Sequence, residues 1–145
     1  MRVTLANTMA RGIASGAVLM LAGCGLPLHE TVQPEASLTV RSETGAPIQG
    51  AQVRLNMRAI PSTKRAVAVV LTDTDGRASF PEVKEWHTRY PLMMHGTVEY
   101  QWTWCVSKAG YQDHDERWSV AFSEFKPYAV VTMKEGNSSG CPDTT

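Results

Sequence analysis

Thr97-Val98-Glu99-Tyr100-Gln101-Trp102-Thr103-Trp104-Cys105-Val106-Ser107-Lys108 is the stretch that decides the fold. Val98, Tyr100, Trp102, Trp104 and Val106 occupy every second position. Strand side chains alternate between two faces, so the spacing predicts a strand with an aromatic face turned into a core. Cys105 sits between these positions and is expected on the opposite face, unless a bulge inverts the local register.

The same period of two runs outward in both directions. Leu38 and Val40 alternate with polar neighbours, as do Val53, Leu55 and Met57. Val67, Val69 and Leu71 mark a third strand, and Ala78 and Phe80 a short fourth. Strands near residues 117–123 and 128–134 bring the expected total to about seven. Turn signals separate them: Gly45-Ala46-Pro47, Asp75-Gly76, Ala109-Gly110 and Lys126-Pro127. No helical stripe of useful length interrupts the pattern. The expectation is an all-β chain, a seven-stranded antiparallel β-sandwich.

The first residues read differently. Arg2 and Arg11 form a basic start without acids, and Ile13 to Leu21 is apolar or small apart from Ser15 and Gly16. That run is too short to cross a bilayer, which takes about 20 apolar residues, and it fits a secretory signal. Leu21-Ala22-Gly23-Cys24 closes it and resembles the lipobox of bacterial lipoproteins. The resemblance implies cleavage before Cys24 and acylation of its thiol, with palmitate among the chains. Several chains are needed because one anchors only marginally. Gly25 stands where an aspartate would imply inner-membrane retention, so the resemblance implies the outer membrane, with the periplasmic face favoured over the cell surface. The expected organisation is a signal peptide over 1–23, a tether over 24–35, a sandwich over 36–135 and a tail over 136–145. A fully extended tether would reach roughly 35 to 40 Å.

With the signal removed, 122 of 145 residues remain, enough for one self-sufficient core. The 14 basic and 14 acidic residues of the whole chain cancel, which argues against a nucleic-acid partner. Once lipid is assigned to Cys24, Cys105 and Cys141 remain as a pair. In an oxidising envelope they are expected to form a disulfide, worth roughly 3 to 4 kcal/mol by chain entropy. A two-cysteine metal site is the alternative, without a histidine or third cysteine nearby in sequence.

Three further segments carry a second resemblance. They are Gly45-Ala46-Pro47-Ile48-Gln49-Gly50-Ala51-Gln52-Val53, Thr72-Asp73-Thr74-Asp75-Gly76-Arg77-Ala78-Ser79-Phe80 and Lys108-Ala109-Gly110-Tyr111. In this order they resemble the carboxypeptidase regulatory-like domains, small sandwiches of transthyretin-like topology. The resemblance implies that fold and a non-catalytic role, as a structural or binding module of the cell envelope. A purine-pathway hydrolase shares the topology, but its terminal Tyr-Arg-Gly-Ser has no counterpart in residues 136–145. No catalytic residue and no cofactor are expected.

The chain departs from the family in a long connection from Pro81 to Gly96, which holds Trp86, His87, Arg89 and Tyr90. It reads either as a ligand or partner surface with Trp86 and Tyr90 as stacking anchors, or as a plug for the end of the sandwich. His87 with Met93, Met94 and His95 offers a copper-binding alternative, since thioether and imidazole suit Cu(I). That set lacks a regular repeat, and no metal site is assigned. Asp113, His114, Asp115 and Glu116 read as a solvated turn, and Asp73 and Asp75 as a hairpin turn rather than a calcium loop. The expected partners are the membrane, through the lipid, and another envelope protein. Membership of a secretion or envelope complex is the alternative role.

Overall fold

Alternating side chains and glycine turns make the described residues all-β. The computed structural model describes residues 25–60, 63–89, 98–116 and 125–142. These residues form nine strands: β1 (Leu26–Gln33), β2 (Ala36–Ser42), β3 (Gln52–Ile60), β4 (Arg65–Leu71), β5 (Arg77–Phe80), β6 (Val83–Arg89), β7 (Glu99–Ser107), β8 (His114–Asp115) and β9 (Tyr128–Met133). β1 and β6 make a two-stranded sheet. The other strands make sheets ordered β5-β2-β9 and β4-β3-β7-β8. Among the described residues no helix is long and apolar enough to cross a membrane.

The two larger sheets share one core. Leu38 and Val40 of β2, Phe80 of β5, and Val131 and Met133 of β9 cluster with Val53 and Leu55 of β3 and Trp104 and Val106 of β7. Full burial of such aliphatic and aromatic side chains contributes about 1.5–3 kcal/mol each. Trp104 lies at the centre. Its ring is 5.4 Å from Phe80 and 5.4 Å from Phe125, and its indole Nε1 donates to the Lys126 carbonyl at 3.1 Å. That bond offsets the desolvation cost of burying a polar nitrogen.

Register fixes which side chains reach this core. The antiparallel β3–β7 ladder runs unbroken from Gln52↔Ser107 to Ile60↔Glu99. Leu55 therefore faces Trp104 on the inner side, and Arg54 faces Cys105 on the outer side. β2 is antiparallel to β5 and parallel to β9. Past the end of β9 the chain joins the segment that leads into β8. Tyr111 bridges Glu135, Gln112 N donates to the Lys134 carbonyl at 2.8 Å, and Gly136 N to the Gly110 carbonyl at 3.0 Å. These bonds stitch the two sheets along one side.

On the other side, Thr72 is the clasp. Its buried Oγ1 donates to the Ile48 carbonyl at 2.7 Å and accepts from the Ala51 amide at 2.8 Å. Asp73 builds the following turn, its Oδ1 accepting from the amides of Asp75 at 2.9 Å and Arg77 at 2.8 Å. Gly76 completes it with φ of 73°, and a Cβ there would run into the Val40 carbonyl oxygen. Gly50 is required by its φ of 68° more than by crowding, since only the far end of the Lys108 side chain, whose Nζ donates to the Gly50 carbonyl, approaches it.

Several expectations need revision. The strand marked by Val67, Val69 and Leu71 is present as β4, but those three side chains are 41%, 48% and 63% exposed, and it is Ala68 and Val70 that turn inward. The segment expected as a tether contains β1, and its Val32 is buried. The Val32 carbonyl accepts the Trp102 indole N–H at 3.1 Å. The connection expected from Pro81 to Gly96 contains β6. The strand expected at residues 117–123 lies outside the described residues. Nine strands in three sheets replace the simple count of seven, because β1 and β6 pair with each other rather than joining the larger sheets.

The chain divides into two compact units. One comprises residues 31–84 and 98–145 and holds the two larger sheets; the other comprises residues 1–30 and 85–97. Of the second, residues 25–30 and 85–89 are described.

Candidate functional site

Two groups of residues concentrate polar or aromatic chemistry. The first is on β1 and β6. Trp86 is 70% exposed, and its indole lies against the His29 imidazole with centroids 4.8 Å apart and planes 17° from parallel. The pair forms a flat aromatic surface. His87 follows in the strand and therefore projects to the other face. Its Nε2 lies 3.5 Å from Glu85 Oε2. Trp86 and His87, adjacent in sequence, are thus separated by the strand itself and do not converge on one ligand. Arg89 closes β6. Tyr90, and with it Met93, Met94 and His95 of the copper alternative, lies outside the described residues.

The second group holds the tail. Cys105 and Cys141 are joined in a disulfide with Cα atoms 5.9 Å apart. Cys105 is on the outer face of β7, so the bond secures residues around 141 against the outside of the four-stranded sheet. Asp113 reinforces it. Its carboxylate accepts from Ser138 Oγ at 2.6 Å, from Ser139 N at 2.7 Å and from Ser139 Oγ at 3.0 Å. Burial is the largest single effect on this carboxyl and opposes its charge. The hydrogen bonds from Ser138, Ser139 and Gly140 together outweigh it and hold Asp113 below the usual carboxylate range.

Glu116 fixes the inner end of the same segment. Its backbone N–H donates to the Trp104 carbonyl at 2.9 Å, and its Oε2 accepts the Trp104 amide at 3.2 Å. The carboxyl is held low first by the His114 side chain, against the opposing effect of burial, and then by the Trp104 amide and the charges of His114 and Lys126. What reads in sequence as a solvated acidic turn is a structural clamp. The residues missed are Ser138 and Ser139, which lie 25 and 26 positions from Asp113, and His29, the partner of Trp86. A signal did exist for the serines, because Cys141 two residues on predicts that the tail is pinned.

Among the described residues no three His, Cys, Asp or Glu side chains come together as a metal site. Cys24 lies outside the described residues. Comparison with family models, curated proteins and solved structures finds no match for this chain.

Proposed function

We propose that this chain is a non-enzymatic outer-membrane lipoprotein, anchored through acylated Cys24 and exposing a sandwich of transthyretin-like topology to the periplasm as a structural or binding module. The observation that carries this reading is the Cys105–Cys141 disulfide. Such bonds persist in oxidising compartments and are rare in the cytoplasm. With those two thiols joined, Cys24 is the remaining cysteine of three, and it is the one that ends the lipobox-like Leu21-Ala22-Gly23-Cys24.

The fold supports the second half of the reading. Seven of the strands fall into sheets of three and four around one core. All three motif segments of the resemblance serve as turns and strand ends there. Gly50 and Gly76 hold positive φ, and Tyr111 packs against the core at the Lys108–Tyr111 turn. The His29–Trp86 surface is the aromatic feature best placed to meet a ligand or protein partner.

Mass spectrometry of the protein extracted from membranes tests the anchor. An amino terminus at Cys24 bearing diacylglycerol and an amide-linked acyl chain is the expected result. C24S is expected to move the protein out of the membrane fraction. An unmodified terminus upstream of Cys24 would overturn the anchor, and free thiols at both Cys105 and Cys141 would overturn the compartment.

A further inference from the structure

We infer that β4 is a homodimerisation edge, at which two copies of this chain join their four-stranded sheets antiparallel through Arg65–Leu71. Among the described residues β4 pairs with β3 on one side, and no strand pairs with it on the other. The β3–β4 ladder pairs Ala59 N with the Lys64 carbonyl and Thr72 N with the Ala51 carbonyl. In an antiparallel ladder the backbone groups of alternate residues point to alternate sides. The even-numbered residues of β4 therefore bond to β3, and Arg65, Val67, Val69 and Leu71 direct their amides and carbonyls away from it. These same residues carry the exposed apolar side chains Val67, Val69 and Leu71. A row of donors and acceptors thus runs beside a strip of exposed hydrocarbon.

Edge strands that stay single are protected by proline, by a bulge or by charges along the strand. β4 reads Arg-Ala-Val-Ala-Val-Val-Leu, with no proline and one charge at its start. Its ladder to β3 is continuous from Gln52↔Leu71 to Arg58↔Arg65, so no bulge twists it away.

Charge selects the occupant and the register. Pairing antiparallel about Val69 sets Val67 opposite Leu71 of a second copy and Val69 opposite its own equivalent. It also brings Arg65 alongside Asp73 of the other chain. Asp73 commits Oδ1 to its own turn, and its second oxygen is the acceptor required. A parallel arrangement would instead set Arg65 beside Arg65. In the antiparallel register Val67, Val69 and Leu71 meet through outward amides and carbonyls, whereas Asp73, whose amide and carbonyl are held within its own turn, faces Arg65 through side chains alone, and the valine and leucine side chains of both copies merge on one face. Cross-strand aliphatic and opposite-charge pairs are the unit of sheet stabilisation.

Sedimentation of the purified full chain tests this, with C24S as background so that acyl chains cannot drive association. Reversible dimerisation in the micromolar range is expected, weakened at least tenfold by V69K and by V69P. The proline is informative because the Val69 amide makes no bond to β3, so the domain's own ladder is kept. Circular dichroism and the melting temperature of the V69P monomer confirm that the fold survives. If V69P unfolds, V69K carries the test. Hydrogen exchange gives a second readout: raising protein concentration should protect the amides of Val67, Val69 and Leu71 and leave those of Ala68 and Val70 unchanged. A chain that stays monomeric at about millimolar concentration, or that dimerises equally well with V69K, overturns the inference.

Discussion

Thr72 donates its hydroxyl to the Ile48 carbonyl at 2.7 Å, across 24 residues of sequence. The same oxygen accepts the Ala51 amide. One side chain therefore satisfies two buried backbone groups where the turn after β2 meets the start of β3.

Replacing it with valine keeps the shape and removes both bonds. T72V is expected to destabilise the domain by about 2–4 kcal/mol, since an unsatisfied buried donor or acceptor costs about 1–3 kcal/mol. T72S should recover most of the loss. Urea unfolding of the three proteins checks this, and equal midpoints for wild type and T72V would refute the clasp.

The disulfide closes a loop with a sequence separation of 36. In the chain-entropy treatment, removing it with C105A/C141A costs about 4 kcal/mol. Chemical unfolding measures the change. The aromatic core lies on the other face of β7, so the near-ultraviolet circular dichroism of Trp104 should persist in the folded double variant. Its disappearance would mean that the tail holds the core as well as the outer face.

Asp113 makes the tail sensitive to acid. Its folded-state carboxyl is held low, so it stays ionised to a lower pH in the folded chain than in the unfolded one. The resulting stability is complete at neutral pH, above the ordinary carboxylate range, and is lost as pH falls through that range to the folded value. D113N should cost about 0.5–1 kcal/mol at pH 7, a figure reduced by solvent screening. The variant and wild type should converge once the pH falls below the folded-state value. Glu116 shifts in the same direction and contributes acid dependence that persists in D113N. Thermal melts across pH 2–7 decide it: a constant gap between the two proteins would exclude the ionised clamp.

Gly76 admits no side chain. G76A adds a strained positive φ, worth about 1–2 kcal/mol, to a collision with the Val40 carbonyl, worth about 1–3 kcal/mol by analogy with overpacking. A loss of about 2–5 kcal/mol is expected by denaturant titration, whereas G45A, with open space around its added methyl, should show only the conformational part.

The alternation around Trp104 was legible because one parity is aromatic and the other is largely polar. The same logic fails at β4, where both parities of Arg-Ala-Val-Ala-Val-Val-Leu are apolar. Periodicity finds such a strand without saying which face is buried. It fails differently at β1, whose Pro27 and polar residues read as an unstructured tether. That strand owes its pairing to β6, a partner about fifty residues away, rather than to a buried face. The disulfide followed from compartment and counting. The Asp113 clamp was legible only in part: Cys141 predicts a pinned tail, but nothing beside Asp113 says that Ser138 and Ser139 meet it.

The parallel pairing of β2 with β9 gives the larger unit a mechanical direction. Tension applied between Ala36 and Met133 would pull along the ladder from Ser37↔Tyr128 to Ser42↔Met133. Those positions would be loaded in shear together, instead of opening in turn as a zipper does. A domain pulled between an anchored amino end and a partner near its carboxyl end would resist that stress through one parallel strand pair.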